Sequence, residues 1–144
     1  MIKMTDIEIA VQNLGGHSIC LCKNGKLIIN DGRGISPMMR FITENKDLNG
    51  YSVADIIVGK AAAMLFVKAG IGCVYGRTMS ESGIAYLKSH GIPCTYDILT
   101  ERIINRNGTD ICPMEQAVAD IDDAESGYKA LRKRIEEMRI ERKK

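Results

Sequence analysis

From Ala54 onward, short apolar runs alternate with helical stretches bounded by glycine or proline, and this alternation constrains the fold more than any other feature of the chain. Ala54–Val58 (ADIIV) reads as a buried apolar strand, and Gly59-Lys60 leads directly into a helix over Ala61–Lys68 that Ala69-Gly70 ends. Cys73-Val74-Tyr75-Gly76 reads as the next strand. Ser80 caps a helix to about His90, Gly91 stops it, and Pro93–Tyr96 is a further strand. Strands joined through helices of this length need crossover connections, which are right-handed and set the strands parallel.

The N-terminal third follows a different grammar. Thr5-Asp6-Ile7-Glu8 is a capping box, with Ile7, Ala10, Val11 and Leu14 on one helical face and Gly15-Gly16 as the stop. His17–Cys22 and Lys26–Asp31 are β-prone runs joined by Lys23-Asn24-Gly25, and Asn-Gly between such runs is a strong hairpin signal. Gly32-Arg33-Gly34 breaks the chain, and Ser36 as N-cap with Pro37 at the first helical position opens a helix from Met38 to about Asn45. The expected architecture is α/β: an antiparallel hairpin, then parallel strands, in one mixed five-stranded sheet with helices on both faces.

The last third reads as helical. Ile98–Ile104 forms a short amphipathic piece, Asn105–Gly108 a loop, and Cys112-Pro113 the start of a helix to about Asp120. Asp122/Asp123 cap a final helix whose Tyr128, Leu131, Ile135 and Met138 form a stripe expected to dock on the sheet. A coiled-coil homodimer is the alternative use of that stripe. No linker or repeat divides the chain, so residues 1–144 are expected to form a single domain, with 124–144 a basic amphipathic helix.

Composition narrows the functions. The 144 residues carry 20 Lys+Arg and 18 Asp+Glu, a net charge of +2, with 45% hydrophobic residues. Residues 129–144 hold eight basic and three acidic side chains, so the tail is basic and the remainder mildly acidic. A solvated helix face explains this better than nucleic-acid binding, because no aromatic residues are interleaved and there is no Trp. The longest apolar stretch, around Ala61–Val67, is far short of the roughly 20 residues a bilayer needs. Five cysteines, an odd number, with no secretory signal point to a reducing cytoplasm. Cys20 and Cys22 share one strand face, and Cys73 and Cys94 stand alone in apolar runs; buried structural thiols account for all four.

Four places could carry chemistry, each where a helix begins after a strand or tight loop and presents free N–H groups. Gly34–Pro37 places Ser36 at one such start. Gly59 and Lys60 form the second, where a glycine admits a ligand to the backbone and an ammonium suits phosphate or carboxylate, although the P-loop spacing is missing. Gly76–Ser80 is the third, with Ser80 readable simply as an N-cap. The fourth is Asn105-Arg106 to Glu115: Cys112 at a helix start is a candidate nucleophile, and Glu115 is either a general base or a complement to the helix dipole. The histidines, His17 and His90, form no readable dyad with Cys112, and His90 reads as a helix C-cap.

The element order, together with VGKAAAMLFVKAG at 58–70, SESGIAYLKSHGI at 80–92 and IINRNGTDICPMEQAV at 103–118, resembles a small prokaryotic domain-of-unknown-function family within the cytidine-deaminase-like superfamily. The resemblance covers about residues 5–123 and implies a three-layer α-β-α sandwich. Zinc deaminases carry His/Cys-x-Glu at the helix after the hairpin and Pro-Cys-x-x-Cys at the helix after the third strand. The matching windows here, Gly34–Arg40 and Gly59–Ala63, contain no His, Cys or Glu. The chain is therefore not expected to be a zinc-dependent deaminase, and no cofactor is expected. The pocket implied by the resemblance would be lined by Ser36, Lys60, Ser80 and the Asn105–Glu115 segment, and would bind a nucleotide-like or other anionic small molecule. The alternative is a metal-free enzyme using Cys112 as nucleophile or Lys60 as acid/base.

Overall fold

Thr5 opens the first helix as its sequence dictates: its hydroxyl accepts the Glu8 amide, and the Glu8 side chain accepts the Thr5 amide at 2.9 Å. The computed structural model describes residues 4–105 and 107–143. Its elements are α1 (Asp6–Leu14), β1 (Ile19–Lys23), β2 (Lys26–Asn30), α2 (Ser36–Thr43), β3 (Ser52–Val58) and α3 (Lys60–Ala69). They continue with β4 (Cys73–Ser80), α4 (Glu81–Ser89), β5 (Cys94–Thr100), α5 (Pro113–Val118) and α6 (Ala124–Arg142).

The strands form one mixed sheet in the order β2-β1-β3-β4-β5. The hairpin β1/β2 turns at Asn24 and Gly25, both with positive φ, and Asp6 clamps the turn by accepting the Asn24 amide at 2.8 Å and the Gly25 amide at 3.1 Å. β1 also pairs antiparallel with β3, whereas β3–β4 and β4–β5 are parallel. The parallel strands advance in one direction across the sheet. Two right-handed crossovers in the same direction land on the same face, so α3 and α4 lie side by side. The main core forms there, around Leu65, Phe66, Met64, Leu87 and Val53. α1 covers the opposite face, where Ala10 and Leu14 pack on Cys20, Cys22, Ala54 and Tyr75. Burial pushes the Cys20 and Cys22 thiols up from their ordinary range.

Several expectations need correction. Ile98–Thr100 belongs to β5 and not to a helical piece; its β-branched residues extend the strand ladder against Thr78–Ser80. β4 likewise continues through Arg77–Met79 to Ser80. Ser36 does not cap α2: Ile35 occupies the cap without a side-chain bond, and Ser36 is the first helical residue. The α6 stripe docks on α3 and α5, not on the sheet. Tyr128 and Leu131 are buried there, and Tyr128 Oη shares a hydrogen bond of 2.9 Å with Thr43 Oγ1 of α2. Gly127 makes the approach to α3 feasible, since a Cβ on it would lie 2.6 Å from Met64 Cε. Among the described residues, no helix is long and apolar enough to cross a membrane.

Candidate functional site

At the carboxyl ends of β3 and β4 the chain turns directly into α3 and α4, so two helix N-termini meet at one edge of the sheet. Gly59 is the N-cap of α3 and has no side chain to satisfy the first amides. Those amides would be orphaned donors carrying the positive end of the helix dipole. Glu115, reaching over from α5, supplies the acceptor. Its Oε1 accepts the Lys60 amide and its Oε2 the Ala61 amide, each at 2.8 Å. A bidentate carboxylate thus sits where a helix N-terminus binds an external anion. Gly59 is a condition of this arrangement, because a Cβ there would lie 2.4 Å from Glu115 Oε1.

The Lys60 side chain turns the other way, and its Nζ donates to the Ala119 carbonyl at 3.0 Å, at the C-terminal end of α5. Lys60 therefore holds α5 at both ends: its backbone grips Glu115 in the first turn and its ammonium grips the Ala119 carbonyl at the C-cap. The cation that the sequence placed in a pocket is engaged by the helix lying over the site.

Ser80 is fully buried and caps α4, its Oγ accepting the Gly83 amide at 3.0 Å. Gly83 lets α4 press on the β3–α3 turn; a Cβ on it would meet the Val58 carbonyl at 2.9 Å. Gly59, Lys60, Ser80 and Glu115 are thereby brought together. Ser36 is exposed on α2, next to Gly32. The Asn105 side chain bonds within its own loop, accepting the Thr109 amide at 3.0 Å and donating to Thr109 Oγ1 at 3.2 Å. Arg106 lies outside the described residues. Cys112 is the N-cap of the six-residue α5, with its amide donating to the Ile103 carbonyl at 2.9 Å. Both histidines are engaged elsewhere: His17 Nδ1 with Asp31 at 2.7 Å, and His90 Nδ1 with the Tyr86 carbonyl at 3.0 Å.

Asp55 is the residue that sequence reasoning passed over, by treating ADIIV as apolar throughout. It stands on β3 in register with Ile19 of β1 and Gly76 of β4, and is 7% exposed. Burial pushes its carboxyl up to about 7, opposed only by the Ile57 and Ile56 amides, of which Ile57 donates to Oδ1 at 3.3 Å. An acid inside the apolar run of a central strand was the available signal.

The donor set does not fit a catalytic zinc, which takes three protein ligands of His, Cys or carboxylate type. The first turns of α2 and α3 present Ser36, Pro37, Met38 and Lys60, Ala61, Ala62, and the nearby carboxylate, Glu115, already accepts two amides. Among the described residues, no cluster of three or more His, Cys, Asp or Glu side chains could hold a metal ion.

A family model described as TM1506, domain of unknown function (DUF1893), matches residues 10–135. The fold is similar to the crystal structure of a DUF1893 family protein from Thermotoga maritima, with a TM-score of 0.80 and 21% identity over 90% of this chain and 89% of that one. Two weaker likenesses are to deaminases. One is a diaminohydroxyphosphoribosylaminopyrimidine deaminase/5-amino-6-(5-phosphoribosylamino)uracil reductase from Thermotoga maritima (TM-score 0.45, 13% identity, 65% of this chain and 35% of that one). The other is a dCMP deaminase from the cyanophage S-TIM5 (TM-score 0.43, 15% identity, 55% and 78%). No curated protein matches.

Proposed function

The chain belongs to the DUF1893 family, a domain of unknown function, and from that premise we propose that it is a metal-free binding domain for an anionic, nucleotide-like small molecule. The ligand's phosphate or carboxylate occupies the N-terminus of α3. The observation that carries this reading is the Glu115 carboxylate itself, held by the Lys60 and Ala61 amides at 2.8 Å each. The chain uses this position for an anion already, and a neighbouring helix N-terminus, capped by Ser80, adds to the same positive field. Glu115 is then an internal competitor: ligand entry requires the carboxylate to swing off α3, and Lys60, released from Ala119 as α5 shifts, closes on the incoming anion. The absence of zinc ligands at both helix starts supports binding without deamination.

The test is calorimetric titration of wild type and Glu115→Gln with inorganic phosphate and with a nucleoside monophosphate. Removing the competing charge should tighten binding about tenfold or more, since a displaced ion–dipole contact is worth on the order of 1–2 kcal/mol. Binding to neither protein, or equal affinity for both, contradicts the reading.

A further inference from the structure

The sheet ends at β5, and among the described residues no further strand pairs with it. The Val74 amide donates to the Pro93 carbonyl at 3.0 Å. In a parallel ladder this phase turns the backbone groups of Thr95, Asp97 and Leu99 toward β4. The amides and carbonyls of Cys94, Tyr96, Ile98 and Thr100 therefore point outward, unpaired. The five central residues of this strand are exposed on both faces, with Tyr96 at 43%, Ile98 at 57% and Leu99 at 49%. Ile98 continues a row through Thr78 to Ile57, itself 48% exposed. Free edges of soluble proteins are normally blunted by lysine, proline, a bulge or short length. β5 has none of these: its seven residues keep an unbroken register and carry one charge, Asp97, which accepts the Tyr75 hydroxyl at 2.6 Å.

We propose that β5 is a homodimer edge, pairing antiparallel with β5 of a second copy about a two-fold axis through Ile98 to make one continuous sheet. A second copy is favoured over a charged partner because Asp97, the strand's single charge, is held by the Tyr75 hydroxyl and offers no charge pattern for a partner to match, and because the edge's pattern is self-complementary. With the axis at Ile98, three of the four outward-facing residues meet one another: Ile98 meets Ile98 of the partner subunit, and Tyr96 meets Thr100 of the partner subunit. Asp97 falls opposite an apolar residue. An axis at Asp97 would oppose two carboxylates across a close pair, which is unfavourable. The Ile98 register also puts the most exposed of the strand's large hydrophobic residues at the centre. A strand pair of this length buries less than the roughly 1,600 Å² of a standard interface, so the dimer fills in the micromolar range and dissociates on dilution. The two-fold closes the assembly, where parallel addition of successive copies would grow without limit.

Sedimentation of the full chain over a concentration series tests this, with Ile98→Lys as the edge-blunting variant and Ile98→Cys as a reporter of register. The wild type should pass from monomer to dimer and stop there. Ile98→Lys should dissociate at least tenfold more readily with an unchanged circular dichroism spectrum. Under mild oxidation Ile98→Cys should form a covalent dimer that the wild type does not, because facing Cα atoms about 5.5 Å apart suit a disulfide. A wild type that stays monomeric at roughly 500 µM, growth beyond a dimer, or an Ile98→Lys variant that associates like wild type overturns the proposal.

Discussion

A single carboxylate sets the character of the site. Glu115 satisfies two donors that Gly59 cannot, and the contact spans 55 positions of sequence. Glu115→Ala should destabilise the fold by about 1–3 kcal/mol, the usual result of leaving a helix N-terminus without its acceptor; denaturant unfolding measures it. Gly59→Ala should act on the same contact from the other side, since its Cβ would displace the carboxylate, and its loss of stability should not add to that of Glu115→Ala. Asp55 makes a separate prediction. Its folded-state pKa of about 7 lies above the ordinary 3.8, so ionisation opposes folding. The stability it contributes is complete below about pH 4 and is lost as pH rises through 7, by on the order of 4 kcal/mol. Asp55→Asn keeps the acceptor for the Ile57 amide and should flatten that slope in unfolding experiments at pH 5 and pH 8.

At the scale of elements, the sequence made legible what local rules govern. The capping box at Thr5, the Asn24-Gly25 hairpin, the Ser80 cap and the glycine stops at Gly70 and Gly91 all stand where residue chemistry puts them. Elements whose identity depends on distant partners were less legible. Ile98–Thr100 looks amphipathic in isolation and becomes strand because β4 offers it a ladder. The α6 stripe finds α3 and not the sheet because α3 already occupies that face. Its docking depends on Gly127 lying against a fully buried Met64. Gly127→Ala should therefore lower stability by roughly 1–3 kcal/mol through overpacking, despite alanine's better helix propensity. Tyr128 and Leu131 are part of the core, so deleting 124–144 removes core and not merely a basic surface.

For the whole molecule, the alternation of strands and helices foretold the mixed sheet and the meeting of α3 and α4 at its carboxyl edge. It drew attention to Gly59, Lys60 and Ser80 at helix starts, and the fold lays Glu115, read separately from the Cys112-Pro113 helix start, against the first of them. What order alone could not convey is which charge faces which. Lys60 looked like the pocket's cation, yet its ammonium holds Ala119 while Glu115 takes the helix N-terminus. Such pairings follow from how α5 returns across the sheet edge, and no local pattern encodes that path.

Whether Glu115 stands in for a ligand anion on α3 can be read from the backbone amide resonances of Lys60 and Ala61. They should be followed while inorganic phosphate is titrated into wild type and into Glu115→Gln. Both resonances should move in a saturating manner, at lower phosphate concentration in the variant, and converge on the same bound position. Amides that move only with ionic strength, or equally in both proteins, would contradict that role for Glu115.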